Sequence, residues 1–235
     1  ILLHFSECIP LVAYTWNKCY TFILVCESAR GKPNPLDRPL GIDFSLLRTR
    51  YSELDVENSL LNLRKGTFMT TRMPALSLVA IPGRRNVTIE LATEIEKRGF
   101  SGIYSPSMGD SLALCEALAY VTNEIHFGTS IMPLYFRQTV DFANTVSFIH
   151  EVSGGRFKFG IGVSHAPALR SRGMSGGKPL TDTRNFVEEL RGVPRAGELP
   201  PIVLATLRKK MISLSEEIAQ GMVFANGARS HMAES

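Results

Sequence analysis

The sequence predicts an α/β fold made of repeated parallel β/α units, and two observations carry that expectation. From Met73 onward, short apolar runs suited to buried strands alternate with amphipathic helical patterns. Within that stretch, EIHFGTSIMPLYFRQ and SGGRFKFGIGVSHAP each join an apolar strand to an exit rich in glycine and small hydroxyl residues. Parallel units linked by crossover helices form either an open doubly wound sheet or a closed barrel. Periodicity alone does not choose between the two.

The elements are expected in strict alternation. ALSLVAI (residues 75–81) reads as the first strand; Asn86 can cap a helix with Ile89, Ala92 and Ile95 on one face, stopped by Gly99. GIYS (102–105) is the second strand, followed by the loop PSMGD and a helix capped by Asp110 or Ser111 that turns Leu112, Cys115, Leu118 and Ala119 inward. IHFGTSIM is the third strand. Its helix runs from about Gln138, burying Val140, Ala143, Val146 and Ile149, to the stop at Gly154 and Gly155. RFKFGIGV is the fourth, with a helix capped near Thr181 or Asp182 that buries Phe186, Val187 and Leu190. PIVLA (201–205) is the fifth, with Met211, Leu214 and Ile218 on its helix, and MVFA (222–225) is the sixth. Gly154 and Gly155 in GGRF end a helix, and Arg156 is expected to tie the bottom of the strands by hydrogen bonds.

Residues 1–68 differ in character. They keep no sustained period, mix turn formers (GKPNPLDRP) with isolated apolar runs, and are expected to be an atypical, non-native or poorly ordered extension preceding a domain at 69–235. Lys65 and Gly66 would be encoded by AAR-GGN, similar to a ribosome-binding site, with Thr67 and Phe68 as spacer before Met69. The apolar opening is divided by Glu7, Asn17 and Lys18 into pieces shorter than the ~20 residues of a membrane span. Ile1 and the missing basic n-region argue against a signal peptide.

Composition leaves a folded globular protein. Hydrophobic residues make up 44% and charged residues 20%, and the net charge of +4 is spread along the chain rather than blocked, which supports no nucleic-acid partner. Cys8, Cys19, Cys26 and Cys115 lack paired metal-site spacing, so no metal is expected and a cytoplasmic setting is the default.

Four blocks in order, GFSGIYSPSMGD, NEIHFGTSIMPLYFRQTVDFA, HEVSGGRFKFGIGVSHAP and PPIVLATLRKKMISLSEEIAQGMVFAN, resemble the luciferase-like family of flavin- or coenzyme F420-dependent oxidoreductases and monooxygenases. The resemblance spans about residues 73–232 and implies a (β/α)8 TIM-type barrel, here incomplete, with about the first six units. A barrel lacking its closing strands exposes strand edges and interior apolar groups, so the fragment is expected to be poorly soluble unless a second chain supplies the missing units.

The resemblance also implies site residues. Gly128, Thr129, Ser130 and Ile131 would form a bulge behind the cofactor's central ring, with a non-prolyl cis peptide between Ser130 and Ile131. Ser164 and His165 close the fourth strand, where barrel active sites lie; His165 is the first candidate for proton transfer or cofactor contact. Thr206, Leu207, Arg208 and Lys209, with Lys210, fall where relatives hold the cofactor phosphate at a helix start, although the usual glycines are missing. Arg137 suits either the cofactor tail or a carboxylate on a neighbouring helix.

Relatives working with the deazaflavin often carry an Asp-His pair where this chain has Ser107 and Met108. Ser105, Ser107 and His165 are the remaining acid–base options, and the departure tilts the expectation from F420 toward FMN. The expected function is a flavin-dependent oxidoreductase or monooxygenase acting on a small organic substrate. The alternative is an inactive or binding-only fragment; full-length relatives are expected to be homo-oligomers. Nucleic-acid binding through Arg170, Arg172 and residues 208–210 lacks interleaved aromatics.

Overall fold

A computed structural model describes residues 75–224. Strand and helix alternate, save for one pair of successive strands and one of successive helices: β1 (Leu76–Ser77), α1 (Arg85–Lys97), β2 (Gly102–Ser105), α2 (Ser111–Val121), β3 (His126–Thr129), β4 (Met132–Pro133), α3 (Thr139–Val152), β5 (Phe157–Gly162), α4 (Ala166–Arg170), α5 (Pro179–Gly192), β6 (Ile202–Thr206), α6 (Lys209–Ile218) and β7 (Gly221–Phe224). The order across the sheet is β1-β2-β3-β5-β6-β7, with β4 paired to β5, and every pairing is parallel. Sequential parallel neighbours joined by helices form an incomplete TIM-type barrel, as expected. The expected extension (1–68) and the cysteines Cys8, Cys19 and Cys26 lie outside the described residues.

The strand register separates two faces. Ile103, Phe127 and Phe157 are aligned neighbours, and Phe127–Phe157 and Phe157–Phe159 are ring contacts with centroids 5.8 and 6.4 Å apart. Phe159 meets Phe142 of α3 at 5.6 Å, and Phe142 meets Phe186 of α5 edge-on at 5.5 Å. This face is therefore the one the helices cover, and its rings form an unbroken seam. Tyr104, Gly128 and Lys158 are aligned on the opposite, interior face.

The helices bury the stripes their periods specify, with local corrections. On α1 Thr88 is buried with Ala92 and Ile95, whereas Ile89 is only partly so; the Thr88 hydroxyl donates to Arg84 O at 3.1 Å and Val79 O at 3.3 Å, satisfying it in the core. Arg84, not Asn86, is the N-cap, without a side-chain bond. On α3 Phe142 takes the buried place expected of Val140, which is exposed. Helix α5 begins before the expected caps, at Pro179, whose fixed φ suits the first helical position. Thr181 and Asp182 thus fall inside its first turn. Asp110 does cap α2, accepting from Leu112 and Ala113 N–H at 3.2 Å each.

The N-terminal ends of the strands are locked by charge. Arg156 donates to Ser153 O (2.8 Å), Thr122 Oγ1 (2.7 Å) and Ala119 O (2.9 Å), and lies over the Phe127 ring. Beside it the Glu96 carboxylate accepts from the N–H groups of Asn123, Glu124 and Ile125. Burial pushes the Glu96 carboxyl up, but those three N–H groups and Arg156 outweigh it and hold it below its ordinary value. Arg156 thus ties the bottom of the barrel as its place in GGRF predicts.

Candidate functional site at the strand C-termini

The third barrel strand is interrupted, and the interruption builds the site. β3 ends at Thr129, the Ser130–Ile131 peptide bond is cis, and the chain resumes as β4 on the same neighbour, β5. Three contacts fix this bulge. Ser130 N–H donates to Ser105 O at 2.7 Å, Thr129 Oγ1 donates to Gly160 O at 2.6 Å, and Leu134 N–H donates to Gly162 O at 3.0 Å. Glycine is required on β5 for this closeness: a Cβ on Gly160 would collide with Thr129 O, and one on Gly162 would stand 3.1 Å from Ile131 Cδ1 and 2.8 Å from Ala205 Cβ. Ile131 occupies the space those absent side chains leave.

Ser164 and His165 leave the adjacent, parallel β5. Ser164 has φ of 62°, a left-handed conformation uncommon for a residue with a side chain, and so redirects the chain into α4, whose N-cap is the exposed His165. The TSI and VSH ends are therefore side by side and open in the same direction. On β6, Thr206 is buried and Leu207 exposed, and Arg208 is the N-cap of α6, with Lys209 and Lys210 in its first turn and no side chain capping it. Peptide N–H groups and two lysines together favour an anion there.

After β2, Ser107 is half-buried in the loop and Met108 is exposed. Ser105 is buried, and its Oγ finds no protein partner. Arg137 pairs with Asp110 Oδ2 at 2.7 Å, so its partner is the carboxylate on the neighbouring helix. Sequence reading passed over a further contact: Tyr135 OH donates to Asp182 Oδ2 at 2.7 Å and accepts from Gly177 N–H at 3.3 Å. Burial, then the bond to Asp182, pushes the Tyr135 phenol above its ordinary value and keeps it protonated. Burial likewise pushes the Cys115 thiol up, with Asp110 and Glu116 adding to it, so this cysteine packs as an apolar group. Among the described residues no three His, Cys, Asp or Glu side chains converge as a metal site. None of the described helices is long and apolar enough to cross a membrane.

A family model described as luciferase-like monooxygenase matches residues 64–235, and the chain belongs to that family. Among curated proteins it is 25% identical over 152 residues to a 5,10-methylenetetrahydromethanopterin reductase of Methanolobus tindarius, covering 54% of this chain and 46% of the relative. The chain spans about half the length of that relative.

Solved structures share the fold. A coenzyme F420-dependent tetrahydromethanopterin reductase from Methanopyrus kandleri aligns with TM-score 0.56 at 17% identity, over 64% of this chain and 55% of that one. An F420-dependent secondary alcohol dehydrogenase in complex with an F420–acetone adduct gives 0.59 at 15%, over 70% and 61%. The oxygenating constituent of 3,6-diketocamphane monooxygenase from Pseudomonas putida, in complex with FMN, gives 0.51 at 15%, over 62% and 55%.

Proposed function

We propose that this chain forms the cofactor-holding part of an oxidoreductase that acts on a small organic substrate through FMN, or through coenzyme F420 as the alternative. The observation that carries the reading is the Thr129–Ile131 bulge set on Gly160 and Gly162, beside the Ser164–His165 turn at the next parallel strand end. The names of the structural relatives, which include both F420- and FMN-containing enzymes, support the same cofactor class.

The donor set fits such a group. The mouth offers peptide N–H and C=O groups, the buried unpartnered hydroxyl of Ser105 and the hydroxyl of Ser107, which suit a flat ring with a polar edge. Arg208 and Lys209, at an uncapped helix start, suit its anionic tail. When bound, a group of this class supplies two-electron redox chemistry. The chain's own contribution is positional. Gly128 to Ile131 back the ring, Thr206 to Lys209 anchor the tail, and the Ser164 turn sets His165 at the end of β5, where it would hold or move a proton. Ser107 stands where an Asp-His pair would otherwise do acid–base work, which favours FMN over F420. Arg137, held by Asp110, shapes the wall rather than the tail site.

The test is retention of colour. Full chain mixed with FMN or with F420 and passed through gel filtration is expected to keep the absorbance of one of them. Arg208→Ala with Lys209→Ala is expected to weaken FMN about tenfold or more while leaving riboflavin, which lacks the phosphate, unchanged. Protein that emerges colourless from both mixtures would overturn the proposal. A chain that holds the cofactor yet turns over no substrate would instead be the binding-only form.

A further inference from the structure

Three consecutive side chains after the third barrel strand each grip a different neighbour. Tyr135 bonds Asp182 in the first turn of α5 and receives Gly177 N–H from the strap 171–178 that precedes it. The Phe136 ring lies under the Arg172 guanidinium of that same strap, 4.2 Å from its centroid. Arg137 reaches in the opposite direction, to Asp110 at the end of the loop after β2. A turn closed by Phe136 N–H on Pro133 O, at 3.2 Å, presents the three in sequence.

From this we infer that Tyr135, Phe136 and Arg137 act as one positioning unit, holding the loops that follow β2, β4 and β5 in a fixed relation around the mouth. None of the three is a catalytic residue. Their action is indirect: the strap follows His165 and α4 in the chain, and fastening it at both Arg172 and Gly177 limits how far that segment can swing. The N–H groups of Arg172, Gly173 and Met174 tie the start of the strap back to Leu169 O and Arg170 O, whereas Gly176 and Gly177 give its second half little stiffness of its own, so that half leans on the Tyr135 fastening. A Cβ on Gly177 would meet the Asp182 carboxylate, so a side chain there would displace the group that Tyr135 holds. The consequence for cofactor binding rests on the function proposed above; the consequence for the strap does not.

Amide hydrogen exchange on the full chain tests the unit directly. Tyr135→Phe removes only the hydroxyl, and Phe136→Leu removes only the ring face. Exchange at 171–178 is expected to quicken about tenfold in the first, where a hydrogen bond to a carboxylate is lost, and about two- to fivefold in the second, where an exposed cation–π contact is lost. Phe136→Trp, which keeps an aromatic face, is expected to restore the wild-type rate. Glu217→Gln, which removes the charge pair that joins Arg184 of α5 to α6, is expected to leave the strap unchanged.

If the mouth binds FMN, Tyr135→Phe is also expected to raise its Kd several-fold and shift the visible spectrum of the bound form at unchanged melting temperature. Exchange at wild-type rates in both Tyr135→Phe and Phe136→Leu would overturn the inference. A wild-type chain that binds neither FMN nor F420 overturns the cofactor reading alone, because the exchange rates judge the positioning unit without it.

Discussion

At Gly160 the fold has no room for a methyl group, because the carbonyl of Thr129 occupies the place a Cβ would take. Gly160→Ala is therefore expected to cost at least about 1–3 kcal/mol, the scale of forced overpacking, seen as a melting temperature lowered by several degrees. Gly192→Ala at the end of α5 meets nothing within 4 Å and is expected to be neutral or stabilising by up to about 1 kcal/mol. Glu96 shows the opposite kind of residue, one whose value depends on pH. Its carboxyl is held below its ordinary value in the fold, so folding favours the charged form. That contribution is complete above the unfolded carboxylate range near ~4.3 and fades as pH falls through the lower folded value. Urea titrations should show wild type more stable than Glu96→Gln by about 1 kcal/mol at pH 7, a figure reduced for solvent screening, with the gap closing as pH drops below about 4.

Helix α2 begins on a residue with two duties. One Asp110 oxygen caps the helix through Leu112 and Ala113, and the other holds Arg137. Asp110→Ala removes both and is expected to cost about 1 kcal/mol or somewhat more. Asp110→Asn keeps a capping oxygen and loses only the charge pair, which is part-exposed and worth less than about 1 kcal/mol. Thermal melts of both, with Arg137→Ala alone and combined, separate the cap from the pair. The third barrel strand makes a similar point: as an element it is continuous in sequence, yet the structure divides it into β3 and β4, both paired to β5.

Across the whole molecule, stability and candidate function sit at opposite ends of the strands. Arg156 and Glu96 lock the N-terminal ends, the aromatic seam from Phe127 to Phe186 joins sheet to helices, and the divided third strand and the left-handed Ser164 lie at the C-terminal ends. Because Phe159 belongs to the seam that couples β5 to α3, its loss should be felt everywhere in the domain. Phe159→Ala is expected to cost about 3–5 kcal/mol. Far-ultraviolet circular dichroism and tyrosine fluorescence should report the same lowered midpoint if the seam makes the domain unfold as one unit.

Apolar period and turn chemistry were enough to read six strands, the stops at Gly99 and Gly154, and a cap at Asp110 or Ser111, of which the structure takes Asp110, because each is decided by residues within one helical turn or one strand. The family blocks added the location of the cis bond at Ser130–Ile131. Other features needed the folded chain. Tyr135 and Asp182 are 47 residues apart, and Arg137 and Asp110 are 27 apart, with nothing local to mark them as partners. Helix α5 starts at Pro179, ahead of Thr181 and Asp182, and the Asp182 carboxylate in its first turn accepts from Tyr135 rather than from the helix's own N–H groups. Local pattern fixes what each segment becomes, whereas the crossovers of the parallel sheet fix which loops meet at its C-terminal end, and the candidate site is made of those meetings.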